Sequence, residues 1–227
     1  MKPVRRDPPH VLSTTVGELA LHEYHLALGG HAWRILHSGA ILSRDDEQRF
    51  LGAEQRLPYG IVLWPAAIAL AHEVATRPLS GKRVLELGAG TGLPGIVAAS
   101  LGAQVVQTDV HDVAMEVCKR NAEHNGITGI EHRLADWTAW DDQSRYDCIL
   151  GADILYGNTM HPHLRCIFEQ NLEYGGCVLL SDPLRTVSFG LLETMAEGGW
   201  GATMNKWTVG IEPPPRPIGV FELTPPA

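Results

Sequence analysis

The chain nowhere offers the roughly 20 consecutive apolar residues that a membrane-crossing helix needs, so no spanning segment is expected. Its opening residues, from Met1 through Arg5-Arg6 to Pro8-Pro9-His10, lack the apolar core of a secretory signal. A cytoplasmic location is the expectation. Cys-x-x-Cys pairs are missing too, the four cysteines standing apart at 118, 148, 166 and 177. Cys148 and Cys177 fall in apolar runs and Cys118 in a helical pattern, so buried, reduced thiols are expected rather than disulfides. Zinc spacing is also absent: His72-Glu73 begins like His-Glu-x-x-His, but position 76 is Thr. His22 and His25 lie three apart in a strand-like segment and should point to opposite faces. His161 and His163 flank a proline at what reads as a solvated helix start, and no metal site is expected from the eleven histidines. Finally, there is no Lys/Arg run beyond Arg5-Arg6, and the formal net charge is −8. A nucleic-acid footprint normally needs a basic face, so this balance argues against such a partner. It suits a small molecule or a basic protein segment.

What is present is ordinary globular material, 44% hydrophobic and 19% charged over 227 residues. A domain near that size buries roughly 70–75% of its extended-chain surface and needs no disulfide or metal to hold a core. Residues 1–17 are polar and proline-bearing, and poor order is expected at the start. Leu19 to Leu28 and Ala32 to Leu36 alternate around Gly29-Gly30, which predicts an antiparallel hairpin. Arg44 to Glu54 is charged and carries no strong period.

From Trp64 the pattern becomes helical at Ala66, Ala67, Leu70, Ala71 and Val74, with Pro65 in a first turn and Pro78 past the end. Short apolar strands then alternate with helices. Strands are expected at 82–87, 104–108, 130–134, 146–151 and 177–180, and helices through Leu101, at 113–124, at about 163–173 and at about 187–197. Two further strands, near 202–209 and 218–223, have no helix between them, only a turn with Pro213-Pro214-Pro215. Alternation of this kind predicts a doubly wound α/β domain, its seven-stranded sheet mostly parallel and ending in an antiparallel hairpin at one edge. The expected division is an N-terminal extension with a β-hairpin over 1–56 and one domain over 57–227.

The strongest local signal is Val84-Leu85-Glu86-Leu87-Gly88-Ala89-Gly90-Thr91-Gly92. A strand runs into a tight turn whose glycines let the backbone approach a ligand, and the next helix presents free N–H groups to an anion. The dinucleotide spacing Gly-x-Gly-x-x-Gly fails when counted from Gly88, because position 93 is Leu. Counted from Gly90 to Gly95 it holds, but too late after the strand. An acid at the strand end followed by Gly-x-Gly-x-Gly instead resembles motif I of the class I methyltransferases, which have a Rossmann-like fold and use S-adenosylmethionine (SAM), leaving S-adenosylhomocysteine as product. The resemblance implies that Glu86, Gly88, Ala89, Gly90, Thr91 and Gly92 bind the cofactor. Asp109 ends the second strand, where an acid can accept both ribose hydroxyls. Asp136-Trp137, after the third strand, resembles that family's adenine site.

Two more segments narrow the resemblance. Ala152-Asp153-Ile154-Leu155-Tyr156 follows the fourth strand, at the carboxyl end where open α/β sheets bind ligands. Asp-x-x-Tyr there resembles the family 16 protein methyltransferases, many of them lysine-specific. Enzymes that methylate DNA bases or glutamine usually carry Asn/Asp-Pro-Pro-Tyr, and both prolines are missing here. Upstream, Leu57-Pro58-Tyr59-Gly60-Ile61-Val62-Leu63-Trp64-Pro65 is similar to that branch's Trp-Pro segment, which implies that Trp64 neighbours the cofactor. The resemblance spans about residues 57–184. It implies Asp153 and Tyr156 as catalytic residues and Ala152 beside the cofactor; Asp182, at the end of the fifth strand, is a further expected neighbour by that location. The expected reaction is N-methylation of a protein side chain, lysine first, by a monomeric cytoplasmic enzyme. A small-molecule N- or O-methyltransferase, a non-catalytic SAM-binding protein and an RNA methyltransferase are the alternatives.

Overall fold

The computed structural model describes residues 10–14, 17–40, 59–209 and 216–226. Strands β1 (His10–Thr14), β2 (Gly17–Leu28) and β3 (His31–His37) form an antiparallel meander, a sheet of their own. Gly29-Gly30 makes the expected turn between β2 and β3, both residues at positive φ. The hairpin therefore does not extend the main sheet. The short β4 (Gly39–Ala40) pairs in parallel with β5 (Val62–Leu63), which follows a 3-10 turn at Tyr59–Ile61.

Helix α1 (Pro65–Val74) opens the doubly wound part. It is followed by β6 (Arg83–Leu87), α2 (Leu93–Ser100), β7 (Gln104–Asp109), α3 (Asp112–His124), β8 (Glu131–Leu134) and a 3-10 turn at Trp137–Ala139. Then come β9 (Tyr146–Ala152), α4 (His161–Asn171), β10 (Leu172–Asp182), α5 (Thr186–Glu197), β11 (Gly201–Val209) and β12 (Arg216–Thr224). Seven strands lie in the order β11-β12-β10-β9-β6-β7-β8. The five from β10 to β8 are parallel, and β12 runs antiparallel to both β10 and β11. Strand order reverses beside β6, which β7 flanks on one side and β9 on the other. That reversal opens a crevice at the carboxyl ends.

The period of two along each strand sorts the core into two layers. Val84, Val105, Cys148, Leu150 and Leu179 face α1, α2 and the Ala122 side of α3. Leu85, Leu87, Ile149, Val178 and Leu180 face α4 and α5. The meander closes over the first layer, where Leu28, Trp33 and Ile35 join the α1 side. Leu12, Leu21 and Leu36 pack on Ile61, Ala114 and Val117.

Several expectations give way to tertiary packing. Within the proline-bearing stretch, His10–Thr14 form strand β1, because Leu12 is buried against α3 and Ile61. Helix α4 starts at His161, whose ring is buried with Nε2 hydrogen-bonded to the Leu155 carbonyl, so this is not a solvated helix end. Strand β10 begins at Leu172, directly after α4, and regains regular register with β9 at Cys177. Cys166 is exposed rather than buried; Cys118 and Cys148 are buried and all four thiols are free. Residues 44–54 and Pro213-Pro214-Pro215 lie outside the described residues. Among those described, no helix is long and apolar enough to cross a membrane.

One buried amide ties the meander sheet and α3 to the glycine loop. Asn121, in the last turn of α3 and without solvent exposure, accepts from the Leu36 N–H at 2.7 Å. Its Nδ2 donates to the Leu36 carbonyl at 3.0 Å and to the Thr91 carbonyl at 2.9 Å. Asn121→Ala orphans three buried backbone groups, each costing about 1–3 kcal/mol if unsatisfied. Partial relaxation leaves an expected loss of about 2–4 kcal/mol in urea unfolding. A loss below about 0.5 kcal/mol, the surface-substitution range, would mean that solvent already serves these groups.

Candidate functional site

A cavity of about 840 Å³ lies across the carboxyl ends of β6, β7, β8 and β9. Of the residues singled out by sequence, Trp64, Gly88, Gly90, Asp109, Asp136, Trp137, Ala152, Asp153 and Tyr156 line it. Glu86, Ala89, Thr91 and Gly92 do not; they stand behind the lining.

The glycine loop shows why small residues sit there. Gly88 and Gly90 both have positive φ, 61° and 56°. A Cβ on Gly88 would sit 3.0 Å from Ile154 Cγ2 and 3.3 Å from the Trp137 ring; one on Gly90 would sit 2.9 Å from the Gly60 carbonyl oxygen. Side chains at these positions would fill the cradle.

Glu86 shares a face with Val84 and therefore points under α2, away from the cavity. Its Oε2 accepts from Gln107 Nε2 at 2.7 Å and from the Gly95 N–H at 3.1 Å. Gln107, directly opposite on β7, also donates to the Gly92 carbonyl at 2.8 Å. Thr91 is buried, its carbonyl held by Asn121, and Ala89 donates to the Thr108 carbonyl. These residues shape the loop from behind rather than offering contacts within the cavity. Sequence reasoning missed Gln107 and Asn121, although a polar residue at a core-facing position of a buried strand or helix was the available signal.

Asp109, at the end of β7, is itself a buried anchor. Its Oδ2 accepts from the Gly90 N–H at 3.1 Å and its Oδ1 from the His111 N–H at 3.0 Å. Burial pushes its carboxyl above the usual range, against those bonds. A carboxylate has about four lone-pair sites, so each oxygen keeps capacity for a ligand hydroxyl. Asp136 caps the next turn, its Oδ1 accepting from the Thr138 N–H and hydroxyl at 2.8 Å, which holds its carboxyl below the usual range. The strand-end turn and the cavity wall are thus one feature.

On the other side of the crevice Asp153 adopts φ 58°, one of two non-glycine residues with positive φ among those described, the other being Leu184. The Asp153 N–H donates to the Ser181 carbonyl at 2.8 Å, and its buried carboxylate is ion-paired with Arg185. Arg185 lines the cavity and also meets Asp182 Oδ2 at 3.0 Å, while its N–H donates to Asp182 Oδ1 at 2.7 Å. Burial disfavours the guanidinium charge, but Asp153 and Asp182 outweigh it and hold the pKa above its ordinary value. Asp182 is fully buried and reaches the cavity only through Arg185. Arg185 was missed by sequence, although it lies three residues past the end of β10, where the carboxyl-end rule points. Tyr156 is exposed at the rim; partial burial, then the Asp109 and Asp153 charges, push its phenol above the ordinary value.

The buried carboxyl of Glu86 is pushed up to about 8, by burial first and by the Asp109 charge in addition, from an ordinary 4.5. The folded chain therefore keeps a proton that the unfolded chain releases. Stability falls as pH rises from about 4.5 to about 8, by at most about 1.4 kcal/mol per pH unit. Glu86→Gln keeps an oxygen for both donors and removes this dependence. Its stability gain over wild type should widen with pH across that window in urea titrations. A pH-independent difference would mean that Glu86 is charged throughout.

The chain is 40% identical over 138 residues to protein N-lysine methyltransferase METTL21A of Xenopus tropicalis, covering 58% of the chain and 64% of that protein. It is 38% identical over 106 residues to histone-arginine methyltransferase METTL23 of Xenopus laevis, covering 43% and 45%. The chain thus spans less than two thirds of the length of these relatives. A precorrin-6y methyltransferase from Geobacter metallireducens shares the fold, with TM-score 0.60, 13% identity and coverage of 82% of this chain and 97% of that one. A family model described as lysine methyltransferase matches residues 45–187, more than half of the chain. The glycine loop, Asp109, Asp153 and Arg185 all fall inside that match, and the protein belongs to this methyltransferase family.

Proposed function

We propose that the chain is a SAM-dependent methyltransferase that N-methylates a protein side chain, with lysine as the acceptor. The observation that carries the reading is the cavity itself: a glycine cradle and two strand-end acids on one wall, a buried Asp153–Arg185 pair on the other. When bound, SAM supplies an activated methyl group on a sulfonium. Gly88 and Gly90 would give its methionine part backbone to lie against, Asp109 would accept the ribose hydroxyls, and Asp136 with Trp137 would hold the adenine. Glu86, Ala89, Thr91 and Gly92 serve by holding the loop in that shape.

Transfer requires a neutral amine whose lone pair points along the bond being broken. A lone buried carboxylate beside a lysine would hold the amine protonated. Arg185 offsets that charge, so that Asp153 acts as a hydrogen-bond acceptor that aims the amine rather than as an ion-pair partner. Tyr156, at the rim, can accept a second amine N–H on its phenol oxygen, which leaves the lone pair for the methyl group. A protein acceptor is supported by the rim: Val110 and Tyr156 line the cavity yet are 54% and 64% exposed, and Leu134, next to the lining residue Ala135, is 60% exposed. Apolar side chains left open at a cavity mouth mark an interaction surface. The lysine choice follows the family description and the METTL21A relatives. We read residues 57–227 as the catalytic domain and 1–56 as an extension, in a monomeric protein. Free thiols at all four cysteines fit a reducing cytoplasm.

Calorimetry should show micromolar SAM and S-adenosylhomocysteine binding to wild type, and none to a Gly88→Arg/Asp109→Ala double variant that remains folded. Radiolabelled SAM with cell extract should then mark protein bands rather than the small-molecule fraction; label confined to metabolites would favour the small-molecule reading. Asn tolerates positive φ, so Asp153→Asn isolates the carboxylate from the backbone. It should cut turnover about 100-fold, the usual penalty for lost alignment, with SAM affinity within about threefold of wild type. Turnover within about threefold would make Asp153 a structural residue.

A further inference from the structure

Away from the cavity, the meander sheet and the end of α3 bring together side chains that stand far apart in the sequence. Register pairs His10 with Leu21, which places His10 diagonally next to Glu23 on the face that meets α3. His124, the last residue of α3, docks against the same carboxylate: its Nε2 is 2.6 Å from Glu23 Oε2, and His10 Nε2 is 3.7 Å from that oxygen. The three ligating atoms all lie within 4.8 Å of one another. His25, two residues along β2 from Glu23, holds the other oxygen, with Nε2 2.6 Å from Oε1.

We infer that His10, Glu23 and His124 form a binding site for a zinc-class divalent transition-metal ion that staples the meander sheet to α3. Two imidazole nitrogens and one carboxylate oxygen are a donor set suited to Zn²⁺, which takes N and O ligands at about 2.0–2.1 Å. Tetrahedral bonds of that length separate ligand atoms by roughly 3.4 Å. The present spacings bracket that figure, so side-chain adjustments of about 1 Å close the site. The unligated position is filled by water. His25 on the far oxygen fixes the carboxylate's orientation, as partners of metal-bound carboxylates do. The helix contributes as well, since the carboxyl end of α3 carries the negative end of its dipole and favours a cation. Side-chain exposures of 39%, 20% and 19% for His10, Glu23 and His124 leave a path for the ion. Arg34, whose guanidinium hydrogen-bonds the His124 carbonyl at 3.4 Å, is a nearby positive charge that weakens cation binding.

A metal here would act on the loop at one remove. Asn121, one turn before His124 on α3, holds both the β3 backbone and Thr91. A clamp on the helix end therefore stiffens the wall behind the glycine loop without touching the cavity.

The test uses the untagged full chain stripped with a chelator, titrated with ZnCl₂ by calorimetry and followed by thermal unfolding. One Zn²⁺ per chain and a melting point raised by several degrees are expected. His10→Ala and His124→Ala should each weaken binding at least tenfold, while His163→Ala and Cys166→Ala leave it unchanged. Co²⁺ in place of Zn²⁺ should give visible d–d bands that the His10→Ala variant loses. His10 makes only the longer approach to Glu23, so this variant decides the matter if His124→Ala does not fold. A folded stripped chain without saturable Zn²⁺ uptake overturns the inference. So does uptake that survives both histidine substitutions or disappears with Cys166→Ala alone.

Discussion

From the last turn of α3, the Asn121 carboxamide reaches the backbone of β3 on one side and the Thr91 carbonyl of the glycine loop on the other. Three segments that share no sheet are thereby held in one arrangement. Removing a buried backbone group from water without a partner costs more than a hydrogen bond returns, so each group here must be answered inside the protein. Glu86 and Gln107 do the same from the strand side, reaching Gly95 and Gly92. The loop's outer surface is therefore free to face a ligand because its inner surface is already satisfied. Backbone donors and acceptors that bind a cofactor must not wander, and these three buried polar side chains hold them still.

The two walls of the crevice solve opposite electrostatic problems. On the β7 side, Asp109 is buried and its carboxyl raised, and the Gly90 and His111 N–H groups supply the compensation. On the β9 side, Asp153 meets a full guanidinium, itself braced by the buried Asp182. The first arrangement leaves lone pairs open toward the cavity; the second leaves a carboxylate whose charge is already offset. Asp153 and Leu184, just past the ends of adjacent strands, both take positive φ, an unfavourable conformation found beside the Asp153–Arg185 pair.

Much of the fold was legible because burial imposes periods on the sequence. Alternation along β2 and β3, the helical spacing after Pro65 and the apolar runs at 84–87 and 146–151 each announce their element. Where the reading slipped, neighbours decided. Leu12 becomes a buried strand residue only because Ile61 and α3 lie beneath it, and His161 is buried because Leu155 offers its carbonyl. The glycine loop was legible as a tight turn at the crevice, yet Glu86 read as a contact residue when the parity of β6 turns it under α2.

By itself the sequence determined the order of strands and helices, the glycine turn between β6 and α2, and the acids at strand ends, because each is set by neighbours within a few residues. Only the tertiary structure decided which polar groups meet. Arg185 finds Asp153 across 32 positions and Asn121 finds Leu36 across 85. His124 finds Glu23 across 101. Partnerships of that range depend on strand order and helix docking, which no local pattern encodes, and they set the charge and rigidity of the site.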